Sequence, residues 1–211
     1  QADAPHFLSL HLLKLRRGWL EWQCDNLARA YALTGKEEYA RRVARILDRC
    51  ATRYPHYPVM QSLPRRIAFR EQKAPWPWDS GRWNFFHNTI PIALLPAYDL
   101  TYASPEFDQL SQECGYDVRE RLENDFLKVS CEEIMVREDH VNNCVGYDVR
   151  SAAMLGRIMN EPRFVHWAYH WMQRNLTEGF MRDGSWKEGT PAYHAMTVGG
   201  LTYAFDAVKG Y

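Results

Sequence analysis

Apolar residues recur at helical spacing along nearly all of this 211-residue chain, and no stretch alternates convincingly with a period of two. Tyr39, Val43, Ile46, Leu47 and Cys50 fall at i, i+4, i+7, i+8 and i+11, one apolar stripe. Phe164, Trp167, Ala168, Trp171 and Met172 repeat the pattern, and Val198, Leu201, Phe205 and Val208 make a third stripe. Gly and Pro set the breaks. The pattern predicts helices over roughly 6–33, stopped by Gly35, and from 37 to just before Pro55. A third covers roughly 84–102, bent near Pro91 and Pro96, and a fourth opens at Ser104-Pro105 and runs to about 136 with a break at Gly115. The last three cover roughly 142–159, the stretch from Pro162 to about 181, and the stretch from Thr190-Pro191 almost to Tyr211.

Short turns between consecutive helices make antiparallel hairpins, so the expected fold class is all-α. Leu33–Tyr39 and Ile158–Phe164 echo each other as helix, turn, helix without forming a strict repeat. If helices alternate in direction, the first, third, fifth and seventh begin at one end. The segments leading into the last three of these, Trp76–His87, Asp139–Asn143 and Trp186–His194, are the richest in Trp, His, Asn, Arg and Tyr. Helix N-termini gathered there favour an anionic ligand.

Composition excludes several classes. Lys+Arg and Asp+Glu both number 26, so 26 − 26 = 0, and no basic excess exists to bind a phosphate backbone. No nucleic-acid partner is expected. No stretch approaches the roughly 18 apolar residues of a membrane span. The five cysteines form no C-x-x-C pair and their number is odd, which suits buried thiols better than a zinc site or a disulfide framework. No His/Cys/Asp cluster has ligand spacing, so neither metal nor other cofactor is expected. The 8 Trp, 12 Tyr and 9 Phe exceed what the core needs, and flat aromatic faces suit sugar rings. The small-residue start at Gln1-Ala2-Asp3-Ala4 fits a processed, secreted or periplasmic protein, and Asn175-Leu176-Thr177 is a glycosylation sequon.

Three segments carry chemistry. In Asp183-Gly184-Ser185-Trp186-Lys187-Glu188-Gly189-Thr190-Pro191-Ala192-Tyr193-His194, Thr190 caps a helix and Tyr193 sits in its first turn, where the dipole favours phenolate. By residue type alone such a Tyr more often closes a loop over the core. Asp139-His140-Val141-Asn142-Asn143-Cys144 reads as ordinary capping, unless its Asn pair faces Tyr193 from a neighbouring parallel helix. Trp78, Arg82, Trp83 and His87 would form a sugar platform or a packed aromatic loop.

The segments beginning Asn142-Asn143-Cys144 and Asp183-Gly184-Ser185-Trp186-Lys187-Glu188-Gly189 resemble those of the heparinase II/III-like and alginate-lyase-like polysaccharide lyases. Dermatan sulfate epimerase has a similar toroid. The Thr34-Gly35 to Pro55 hairpin is similar to the family's early helices. The resemblance implies an incomplete (α/α) toroid of antiparallel hairpins, here residues 1–211 as one domain, as part of a larger toroid followed by β-sandwich domains. It implies Asn143, or else Asn142, as the group that neutralises the uronate carboxylate, and Tyr193 as general acid/base. Many members have His where this chain has Cys144, and His140 is the alternative source of an imidazole. Asn142, Trp78, Arg82, Trp83, His87, Trp186, Glu188 and His194 are the expected substrate contacts.

The activity so implied is β-elimination on an acidic, uronate-containing glycan such as a glycosaminoglycan or alginate, with no metal required. The alternatives are a uronate C5-epimerase, an (α/α) glycoside hydrolase using two of Asp79, Asp139, Asp183 and Glu188, and a non-catalytic glycan-binding domain.

Overall fold

The computed structural model describes residues 4–56, 92–136 and 140–211. Trp78, Asp79, Arg82, Trp83 and His87 lie outside the described residues, as does Asp139. The described chain is all-α: α1 (Ala4–Thr34), α2 (Glu37–Arg53) with a 3-10 turn at Tyr54–His56, α3 (Leu94–Thr101), α4 (Glu106–Cys114), α5 (Val118–Arg121), a π-helical segment (Leu122–Lys128), α6 (Val129–Met135), α7 (Val145–Ile158), α8 (Pro162–Glu178) and α9 (Pro191–Val208). Among the described residues the sole extended pairing is one antiparallel bridge, Phe180 to Trp186. None of their helices is long and apolar enough to cross a membrane. Packing divides the chain into two compact units, with the division between Val129 and Ser130.

In the first unit α1 and α2 form a hairpin across Gly35, whose φ of 66° is the left-handed value that lets α1 stop there. Val43, Leu47 and Cys50 of the expected stripe are buried, together with Ala40, Ala44 and Ala51. The alanines share the buried side of α2. Ser104 does not cap α4 in the expected way. Pro105 holds the N-cap position, while Ser104 Oγ accepts from the Glu106 N–H (3.2 Å) and donates to Glu37 Oε2 (2.5 Å). The π-helical segment widens the helical turn where Leu122, Phe126 and Leu127 are all buried, and Tyr98 donates to Glu123 Oε1 at 2.6 Å.

In the second unit α7 packs against both α8 and α9. The short turn from Ile158 to Pro162 makes α8 antiparallel to α7, and Asn175, near its far end, reaches the carbonyl of His140. α9 runs parallel to α7: Asn143 meets Met196 at the start, Gly146 meets Gly200, and Arg157 donates to the carbonyls of Ala207 and Lys209 at the end. The expected α8 stripe is present, with Phe164, Ala168 and Met172 buried and Trp167 and Trp171 half-buried. The sequon asparagine Asn175 is itself fully buried.

Two expectations need correction. The helix expected from Asn142 begins at Val145, so both asparagines precede it in a turn. On α9, Val198 and Phe205 are 41% and 44% exposed, whereas Thr197, Leu201 and Ala204 are buried. The buried side of α9 is its small side, because its Gly200 meets the α7 backbone. A methyl group on Gly146 would lie 2.3 Å from the Gly200 Cα, and one on Gly200 would lie 2.9 Å from the Gly146 Cα. Neither contact can be relieved by a side-chain rotation. Gly146→Ala is therefore expected to destabilise the protein by about 1–3 kcal/mol, as overpacking does. Denaturant unfolding measures this, and wild-type stability in the variant would refute the close crossing.

Candidate functional site

Parallel packing sets the N-termini of α7 and α9 at one end of the second unit, with the loop that follows α8 beside them. That loop is a small hairpin. The Met181 N–H donates to the Ser185 carbonyl (2.8 Å), and the Lys187 N–H to the Gly179 carbonyl (2.9 Å). Asp183 builds its turn, accepting from the Ser185 N–H (2.9 Å) and hydroxyl (2.7 Å), and these bonds hold its carboxyl below the usual range. Gly184, with φ of 83°, lets the chain reverse.

Trp186 was expected to contact substrate, but it is 1% exposed. Its ring lies edge-on to Phe180 at 5.3 Å and over Gly179, where a Cβ would come within 2.1 Å of it. Its indole N–H donates to Glu188 Oε2 at 2.5 Å. The same oxygen accepts from the Asn143 main-chain N–H at 3.1 Å, so Glu188 joins the loop to the turn before α7.

The expected capping at Thr190-Pro191 is present. Thr190 is the N-cap of α9, its hydroxyl accepts from the Tyr193 N–H (3.1 Å), and Pro191 is the first helical residue. Tyr193 is 44% exposed in the first turn. It lies one turn before Met196, whose sulfur is 3.9 Å from Asn143 Nδ2. Asn143 and Tyr193 therefore occupy the same end of the unit. The Asn142 carboxamide closes a local turn, with Oδ1 accepting from the Cys144 N–H (2.9 Å). Asp183, Gly184, Ser185, Trp186, Thr190 and His194 line an open pocket of about 490 Å³, together with Gly189 and Pro191. His194 Nδ1 is buried and has no hydrogen-bond partner among the described residues.

His140 is a correction. It is fully buried, with Nε2 3.1 Å from the Ile134 carbonyl and Nδ1 3.7 Å from Asp148 Oδ2. The rings of Trp167 and Trp171 stand 4.8 and 4.7 Å from it. A ring so enclosed cannot touch a glycan, and the imidazole at the site is that of His194. Sequence reasoning also missed Gly146 and Gly200. The signal was there, because paired glycines inside a helix, Gly199-Gly200, cost helix stability and imply a packing reason. Among the described residues no group of three or more His, Cys, Asp or Glu is placed to hold a metal ion.

Compared with protein-family models, with curated proteins and with solved structures, the chain has no match.

Burial, reinforced by the charges of Asp148 and Glu188, pushes the Cys144 thiol from 9.0 up to about 12. Burial likewise pushes Cys50 up to about 12, with Glu21 raising and Arg17 lowering it. Unfolded thiols lose their protons near 9.0 while the folded ones keep them to about 12. Between these values the folded state binds more protons, so stability falls as pH rises through that window. Urea midpoints measured from neutral pH upward should show this fall, and it should be shallower in a Cys50→Ala, Cys144→Ala variant. Equal slopes in both proteins would contradict the assignment.

Proposed function

We propose that this chain is part of an (α/α) toroid polysaccharide lyase of the heparinase II/III-like type, acting on a uronate-containing glycan. The observation that carries the reading is the pairing of Asn143 and an exposed Tyr193 at the N-termini of two parallel helices. The motif resemblance of the Asn142-Asn143-Cys144 and Asp183–Gly189 segments supports it. A secreted or periplasmic location goes with a polymeric substrate.

The chemistry follows from the substrate. The C5 proton of a uronate becomes acidic only when the carboxylate charge is masked. The Asn143 amide donates to that carboxylate and stabilises the enolate-like intermediate, helped by the positive ends of the α7 and α9 dipoles. Tyr193 as phenolate removes the C5 proton, and as phenol it protonates O4 as the C4–O4 bond breaks. The product carries a C4–C5 double bond. Returning the proton to the opposite face instead gives epimerisation. His194, beside Tyr193 in sequence and lining the pocket, supplies the imidazole that the expectation for His140 called for.

The hydrolase reading is less favoured by the geometry. It needs two opposed carboxylates, and both of its described candidates are engaged locally, Asp183 in its own turn and Glu188 with Asn143 and Trp186.

The test is release of unsaturated uronate, followed by its ultraviolet absorbance, from alginate, heparan sulfate, chondroitin sulfate, hyaluronan and ulvan. Tyr193→Phe is expected to keep the helical circular dichroism signal and to lose about 10² or more in turnover. Turnover near wild type in that variant removes Tyr193 from the reaction. New reducing ends without the absorbance support the hydrolase instead.

A further inference from the structure

The Asn143 carboxamide is bounded by two sulfurs of opposite hydrogen-bonding character. Its Oδ1 accepts from the Cys144 thiol at 3.1 Å, and its Nδ2 points to the Met196 thioether at 3.9 Å. A thiol has a hydrogen to give, whereas a thioether has lone pairs only. Turning the amide over would set Oδ1 against the Met196 lone pairs and the NH2 group against the thiol. One orientation satisfies both sulfurs, and it is the one observed. Met196 takes at most one amide hydrogen, weakly, so the other is available to an acceptor from outside.

The backbone of the same residue is held as well. The Asn143 N–H and the Trp186 indole N–H converge on one oxygen, Glu188 Oε2. Trp186 is immobilised by burial against Phe180 and Gly179, so Glu188 ties the turn before α7 to a rigid point. We infer that Cys144, Met196 and Glu188 are positioning residues that lock Asn143 so that its remaining amide hydrogen is available to a carboxylate-bearing ligand. This rests on the proposed role of Asn143 as the carboxylate-binding group.

The arrangement explains why a cysteine can stand at position 144. The side chain is 4% exposed, and a group there must donate inward without adding charge. Its thiol keeps its hydrogen throughout the neutral range, because burial raises it to about 12. It also separates two roles for Glu188. A carboxylate acting through charge or proton transfer is not replaceable by an amide. An oxygen that only collects two N–H donors is replaceable, since a Gln carbonyl has two lone pairs.

The experiment uses the full chain and the variants Glu188→Ala, Glu188→Gln, Cys144→Ala and Cys144→Ser. The first readout needs no activity: the NMR signals of the Asn143 side-chain amide, the Asn143 main-chain N–H and the Trp186 indole N–H, before and after adding glucuronate. The second is kcat and KM on whichever polyuronate the wild type cleaves. Glu188→Ala and Cys144→Ala are expected to move the Asn143 signals, abolish their response to glucuronate and lower kcat about ten- to a hundredfold. Glu188→Gln and Cys144→Ser should bring back most of both. Unmoved Asn143 signals in the alanine variants overturn the bracket, and so does a Glu188→Gln variant as impaired as Glu188→Ala. If the wild type cleaves no polyuronate, the NMR readout still decides the bracket while the lyase reading fails.

Discussion

The backbone contact between Gly146 and Gly200 is the constraint on which the second unit depends. Two parallel helices with ordinary side chains at the crossing stand 8–10 Å apart. Removing both Cβ atoms lets α7 and α9 approach more closely, and the rest of the interface follows from that distance. Thr197 and Ala204 are small enough to be buried beside the crossing, whereas Val198 and Phe205 stay outside it. The crossing also lies near the start of α7, about one turn from Asn143. The separation that sets the helix pair therefore also sets Asn143 against Met196, and with it the position of the α9 N-terminus relative to the turn before α7.

A second anchor holds the other side of that turn. His140 is buried between Trp167 and Trp171, and its carbonyl accepts from the Asn175 amide at 2.7 Å. Both ring nitrogens face oxygens, the Ile134 carbonyl and the Asp148 carboxylate. Nδ1 makes no hydrogen bond at 3.7 Å, so the placement rests on the Nε2 contact, the two indole rings and the Asn175 bond to the carbonyl. Asn142 and Asn143 follow within three residues of it. His140 thus serves the candidate site by fixing where the chain enters it, at a point no ligand can reach.

The helices were legible because their signals are local. Gly35, Gly115, Asn160-Pro162 and Thr190-Pro191 mark breaks through backbone preferences that tertiary packing did not override. The capping at Thr190 was readable for the same reason. The buried side of α9 was not. Periodicity counts bulky apolar residues, and this interface is made by small ones, which look uninformative until two backbones touch. The fates of His140 and Trp186 were illegible for a related reason. A His or Trp beside chemistry-bearing residues reads the same in sequence whether it faces solvent or the core. Only the partner residues decide, and these, Trp167, Trp171 and Asn175 for His140 and Gly179 and Phe180 for Trp186, come from α8 or its exit.

The carboxylates make the sharpest contrast between sequence and structure. Asp183 and Glu188 stand in the most chemistry-rich segment, and either would suit an acid or base by residue type. In the fold both are engaged in building the loop, the first bonded to Ser185 and the second to Trp186 and Asn143. The pocket is lined by Asp183, Ser185, Thr190 and His194, and Asn143 and Tyr193 lie at the same end of the unit. Hydrogen bonds from the Ser185 N–H and hydroxyl hold the Asp183 carboxyl below the usual range, while the α7 and α9 N-termini add partial positive charge at this end. In this fold the two carboxylates shape the loop that borders Asn143 and the start of α9.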